Sequence, residues 1–80
     1  MITLDSLKEN EEAQIIRING GRNLVLRLSD MGLVPNTKFK VVLNSYFGPV
    51  LIEVRGSKLA IGRGMAKKIL VKEVEKDSSK

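Results

Sequence analysis

Between Thr37 and Ile61 apolar and polar residues alternate with a period of two, in short runs separated by turn-forming residues. Phe39, Val41 and Leu43 alternate with Lys38, Lys40 and Val42. After Asn44-Ser45-Tyr46-Phe47-Gly48-Pro49, Val50, Ile52 and Val54 alternate with Leu51, Glu53 and Arg55. A helix cannot place every second residue on one face, whereas a pleated strand does so automatically. Two half-buried strands are therefore predicted over 37–44 and 50–55, with Phe39, Val41, Leu43, Val50, Ile52 and Val54 facing inward. Gly56-Ser57 supplies a two-residue hairpin loop to a further strand over 58–62. Val and Ile together account for fifteen of the 80 residues, and their branched side chains suit such a surface.

The remaining segments are read in the same way. Ala13 to Ile18 predicts a strand with Ile16 and Ile18 on one face and Ile15 and Arg17 on the other, ended by Asn19-Gly20-Gly21. Ile69 to Val74 predicts a last strand with Ile69 and Val71 inward. Leu24, Leu28 and Met31 fall at i, i+4 and i+7, so Asn23 to Met31 is read as a helix, although Leu24, Leu26 and Leu28 also alternate. Asn23 is its expected N-cap, Gly32 its left-handed terminator, and Pro35 bars continuation. Arg63 to Lys68 suits a single turn. Leu4 and Leu7, one turn apart, are placed to cap one end of the sheet. Five short strands in so short a chain avoid exposed edges most economically by closing into a small barrel.

Size and composition limit the chemistry. A domain this small buries only about 60% of the surface its unfolded chain exposes, which leaves little room for an enclosed catalytic cleft. There is no Cys and no His, so thiolate nucleophiles, disulfides, the usual general base and the commonest metal ligands are all missing. Glu9, Glu11 and Glu12 are the one carboxylate cluster, but alone they offer hard, weak oxygen ligands and read as solvated surface. Met31 and Met65 read as core filling. Gly62-Arg63-Gly64 lacks the third glycine of a dinucleotide fingerprint, because Lys67 stands in its place, and no Gly-Lys-Ser/Thr occurs. Neither catalytic residues, nor a metal site, nor a cofactor is expected. Without a long apolar stretch or an export signal at Met1 to Asp5, a cytoplasmic protein is expected.

Charge is uneven. Residues 1–12 hold Lys8 against Asp5, Glu9, Glu11 and Glu12, whereas over 13–72 eleven basic side chains face only Asp30 and Glu53, giving that segment +9 where the whole chain carries +5. The end of the chain, 75–80, is read as a flexible tail.

The run RLSDMGLVPNTKFKVV (27–42), followed by FGPVLIEVRGSKLAIGR (47–63), Ala66 and Ile69-Leu70-Val71, resembles the FeoA family. The resemblance covers roughly residues 2 to 74. One departure is Asn36, where the family typically has Gly after the proline; Asn also tolerates positive φ, so a type II turn over Val34-Pro35-Asn36-Thr37 survives. The resemblance implies an SH3-like small β-barrel of about five strands with one or two short helices, occupying 1–74. It further implies a non-enzymatic cytoplasmic accessory of ferrous iron uptake that contacts the FeoB membrane GTPase.

For the docking surface, Tyr46 and Phe47 are two of the three aromatics and lie in one loop, with Leu51 expected outward beside them. Val25 and Leu26 fall off the core face of the predicted helix and form a second candidate patch. Arg22 and Arg63, expected in loops, are candidates to reach a partner's phosphates. The alternative class is a nucleic-acid-binding basic barrel, supported by the +9 but opposed by the lack of stacking aromatics on the outward positions Lys38, Lys40, Glu53 and Arg55. The basic surface also suits an acidic partner domain or the inner leaflet, reached through the transporter. Weak self-assembly is a third class.

Overall fold

The computed structural model describes residues 2–45 and 47–74. Among these residues six strands form one antiparallel sheet: β1 (Ile2–Thr3), β2 (Glu12–Ile18), β3 (Lys38–Asn44), β4 (Val50–Val54), β5 (Ser57–Ile61) and β6 (Ile69–Glu73). A single 3-10 turn spans Leu4–Ser6. Helix α1 (Arg22–Asp30) joins β2 to β3, and the short helix α2 (Arg63–Ala66) joins β5 to β6. The strand order is β1-β6-β2-β3-β4-β5. The last strand therefore returns to pair with the long second one and wraps the meander around a single core. Among the described residues the ladder ends at β1 on one side and β5 on the other, so closure by hydrogen bonds is incomplete.

The core is built from the expected stripes, Val41, Val50, Ile52, Ile69 and Val71, joined by Ile15 of β2, all fully buried among the described residues. Leu4 and Leu7 are buried in the same cluster, so the 3-10 turn caps one end beside α2, as their spacing predicts.

Two faces depart from simple alternation. Ile15 pairs with Val71 and Arg17 with Leu70, so Ile16 is an extra residue in β2. Beyond this bulge the parity reverses: Ala13 and Ile15 are buried, Ile18 packs on the core from the next turn of the pleat, and Arg17 is exposed. A second shift lies between Val41 and Leu43 in β3. Leu43, expected inward, is consequently turned outward and 48% exposed. An inserted residue unpairs one position and sharpens the local twist, which is what a short sheet wrapping around its own core requires.

The β4–β5 hairpin is shifted by one residue from expectation. Val54 pairs with Ser57, so the two loop residues are Arg55 and Gly56, with φ of 52° and 82°. Positive φ at both positions is the type I′ arrangement whose twist matches the flanking strands. Arg55 thus leaves the strand it was assigned to.

Helix α1 begins one residue before the expected cap. Gly21 occupies the N-cap position, and no side chain caps the helix there. Its C-terminus follows the expectation in detail. Gly32 has φ of 85°, its N–H donates to Ser29 O at 2.9 Å, and Leu33 N–H donates to Leu28 O at 2.8 Å. These two bonds form a Schellman motif, completed by burial of both Leu28 and Leu33. Asn36 has φ of 77° and Thr37 N–H donates to Val34 O at 3.1 Å, as the expected turn demands.

Candidate partner-docking site

Asn44, the last residue of β3, is the hub of the β3–β4 end of the barrel. Its side-chain amide donates to Leu7 O at 2.6 Å and Asp5 O at 3.0 Å, tying the strand to the 3-10 turn and the residue after it. Its Oδ1 accepts from Arg63 Nη2 at 2.7 Å. Arg63 then reaches the β3–β4 loop itself: Nε donates to Gly48 O at 3.1 Å, and Nη2 donates to Ser45 O as well. A planar guanidinium, with donors along two edges, can hold a loop at both ends in this way.

That loop carries Phe47, whose side chain is fully exposed. Exposing an aromatic ring forgoes the burial that would otherwise stabilise the fold, and the loop bearing it is fastened to helix α2 by Arg63. Next to the loop, the β3 bulge turns Leu43 onto the outer face, where it lies directly opposite Leu51, and Leu51 in turn lies opposite Ala60. An apolar row therefore crosses β3, β4 and β5 on the outside. Leu51 is half-buried there, on the outer face where it was expected.

One step along the strands, the adjoining outer row is charged and alternates in sign: Lys58 faces Glu53, Glu53 faces Lys40, and Lys40 faces Glu12. Basic and acidic side chains are interleaved across this face, which differs from the continuous basic stripe that tracks a phosphate backbone.

Val25 and Leu26 are 38% and 54% exposed on α1, and Arg22 is exposed at its first residue. They form a separate group. The C-terminal end of α1 meets the Arg55 turn, where a Cβ built on Gly32 would lie 3.8 Å from Arg55 Nη1. This is the opposite end of β4 from the Phe47 loop. Of the sequence-derived candidates, the structure thus places Phe47 and Leu51 at the same end of β4, with Arg63 bonded to the backbone of the Phe47 loop, and leaves Arg22, Val25 and Leu26 on the helix. Tyr46 lies outside the described residues. Arg63 is half-buried, and its donors are engaged within the fold instead of projecting from a loop.

The acidic residues gather at another corner. Glu11 accepts from Lys8 N–H at 2.6 Å, and Glu9 accepts from Asn44 N–H at 3.3 Å. Glu9, Glu11, Glu12 and Glu73 line an open depression of about 260 Å³. The Lys8 N–H, with help from a hydrogen bond to Glu73, holds the Glu11 carboxyl below its ordinary value. Glu73, which shares that bond and faces the Glu11 charge, is pushed up. Among the described residues, no three side chains of metal-binding type converge on one point.

Sequence reasoning missed Leu43, Asn44 and Ala60. Leu43 was hidden by the bulge. Asn44 carried a signal, since a carboxamide ending a strand ahead of a loop has side-chain donors and an acceptor that need partners.

The fold has counterparts among known proteins. The profile of the FeoA domain matches residues 2–73. A Methanocaldococcus jannaschii protein described as an Fe(2+) transport protein A is 43% identical over 75 residues, covering 94% of this chain and 90% of that one. The crystal structure of an iron uptake regulatory protein, FeoA, superposes with a TM-score of 0.87 at 30% identity, covering 91% of this chain and 97% of the other. The FeoA protein of Chlorobium tepidum gives a TM-score of 0.83 at 28% identity, over 98% of this chain and 75% of the other. The small SH3-like β fold, the left-handed turns at Gly32 and Asn36 and a match spanning both the helix and the hairpins lead to one assignment: this chain belongs to the FeoA family, whose members are named for Fe(2+) transport.

Proposed function

We propose that the protein is a non-enzymatic, cytoplasmic accessory of ferrous iron uptake that works by docking onto the cytosolic nucleotide-binding domain of the FeoB transporter. The observation that carries this reading is the fully exposed Phe47 on a loop fastened by Arg63, beside the outward-turned Leu43. Fastening the loop backbone on either side of Phe47 lowers the conformational freedom that the loop loses on binding, and aromatic anchors dominate interface energetics. Family membership supplies the link to iron transport, and the resemblance noted in the sequence supplies the transporter as partner. The depressions on the described surface are open and lined largely by charged or polar side chains, which suits a protein that presents an exterior.

Titration of the purified transporter's nucleotide-binding domain with this protein tests the reading. Phe47→Ala and Leu43→Ala should each weaken binding about 10-fold or more while leaving the thermal midpoint unchanged. Wild-type binding that both variants match would remove the Phe47 loop from the interface, and no binding at any nucleotide state would remove the partner.

A further inference from the structure

The sheet ends at β5, and the register of the hairpin shows which of its backbone groups are free. Val54 and Ser57 flank the two-residue loop, so they form a hydrogen-bonded pair, and alternation makes Ile52 with Leu59 and Val50 with Ile61 the next such pairs. Lys58 and Ala60 belong to the intervening pairs. Their N–H and C=O groups therefore point away from β4, toward the open side of the sheet. Among the described residues, no strand pairs with that side and no hydrogen bond reaches it. The side chains of Lys58 and Ala60 are also exposed, whereas Ile61 anchors the strand in the core. An edge with free backbone groups is a template for another strand.

The outer rows specify what that strand should carry. The charged row runs Glu12, Lys40, Glu53, Lys58 with alternating sign, and Lys58 is its last member. The neighbouring row runs Leu43, Leu51, Ala60 and is apolar throughout. Continuing both rows places an acidic residue opposite Lys58 and an apolar residue opposite Ala60. Because every pairing in the sheet is antiparallel, the apolar residue comes first, two positions before the acid. A second copy of β5 does not meet this requirement. An antiparallel self-pair centred on Leu59 sets Lys58 against Ala60 of the other copy, leaving both rows mismatched.

We infer that β5 is a strand-addition site for an extended segment of a partner polypeptide with the pattern apolar-x-acidic, bound antiparallel through the backbone of Lys58 and Ala60. The main chain supplies the attachment and the two outward side chains set the preference. The edge shares Ala60 with the outer apolar row but lies at the far end of that row from β3 and the Phe47 loop, and its backbone pairing is read out separately from binding to the transporter domain.

The test is an amide-resolved NMR titration of the full ¹⁵N-labelled chain with a blocked peptide, Thr-Val-Thr-Glu-Val-Thr, up to about 1 mM. The largest shifts should fall on the amides of Lys58 and Ala60, with slowed solvent exchange at both. Replacing the peptide's Glu by Lys, or methylating the amide nitrogen of that Glu, should weaken binding about 10-fold. On the protein, Lys58→Gln should lower the preference for Glu over Lys in the peptide without altering the fold. Absence of shifts, shifts centred on α1 or the Phe47 loop, indifference to N-methylation, or concentration-dependent shifts of the same amides without peptide would each overturn the proposal. None of these results bears on binding to the transporter's nucleotide-binding domain, which is measured separately.

Discussion

Arg63 Nη2 donates to Asn44 Oδ1 at 2.7 Å, and this bond joins helix α2 to the end of β3 at the point where the chain leaves for the Phe47 loop. Arg63→Ala removes the donors to Gly48, Ser45 and Asn44 together. Because the loop is solvent-accessible, water replaces part of what is lost, and we expect destabilisation of about 1–2 kcal/mol with faster amide exchange confined to the loop. Asn44→Asp is expected to be the more damaging change. It keeps an acceptor for Arg63 but sets a carboxylate oxygen against the carbonyls of Leu7 and Asp5, where an amide now donates. Urea unfolding of the two variants checks the order.

Leu26 and Leu28 lie two residues apart on α1, one 54% exposed and the other fully buried. Leu28→Ala should cost about 3 kcal/mol or more, since it opens a cavity in a core with few other members. Leu26→Ala should stay within about 0.5 kcal/mol. Equal effects in thermal unfolding would contradict the orientation of the helix.

The positive-φ positions make opposite predictions. Gly32→Ala should destabilise by about 1 kcal/mol through its backbone alone, because at 3.8 Å from Arg55 Nη1 the added methyl has room. Arg55→Gly should stabilise the hairpin by up to about 1 kcal/mol, since a side chain now occupies the left-handed region at the first loop position. Circular dichroism melts of both variants separate conformational strain from contact.

At the acidic corner the two carboxyls oppose each other in their dependence on pH. Glu11, held low, contributes stability above the ordinary carboxylate range, and that contribution is lost as pH falls through its lowered folded value. Glu73, pushed up, favours the fold while protonated, and its contribution is lost as pH rises through its raised folded value. Glu73→Gln should therefore raise the melting temperature at neutral pH, modestly because both groups face solvent, and leave it unchanged at about pH 3, where Glu73 is already protonated. Added salt should shrink the gain. A gain that persists in acid would point to packing instead of charge.

Much of this fold could be read from local order. Alternation over 37–61 placed β3 and β4, Leu24, Leu28 and Met31 placed the inner face of α1, and Gly32 and Pro35 placed its end, because each signal acts within a few residues of itself. The Val34-Pro35-Asn36-Thr37 turn belongs to the same class. What the chain did not show locally were the bulges at Ile16 and Val42, the one-residue shift that moved Arg55 into the loop, and the partners of Arg63 and Asn44. A bulge answers to the curvature that the whole sheet needs to enclose its core, so it reverses the inside and outside of a strand with no mark in that strand's own pattern. Leu43 was turned outward by this means. The hydrogen bond between Arg63 and Asn44 joins positions 19 residues apart, which only the folded chain brings within reach. Short-range periodicity thus determined which segments became strands and helix, while the closing of the sheet decided which side chains it left for a partner.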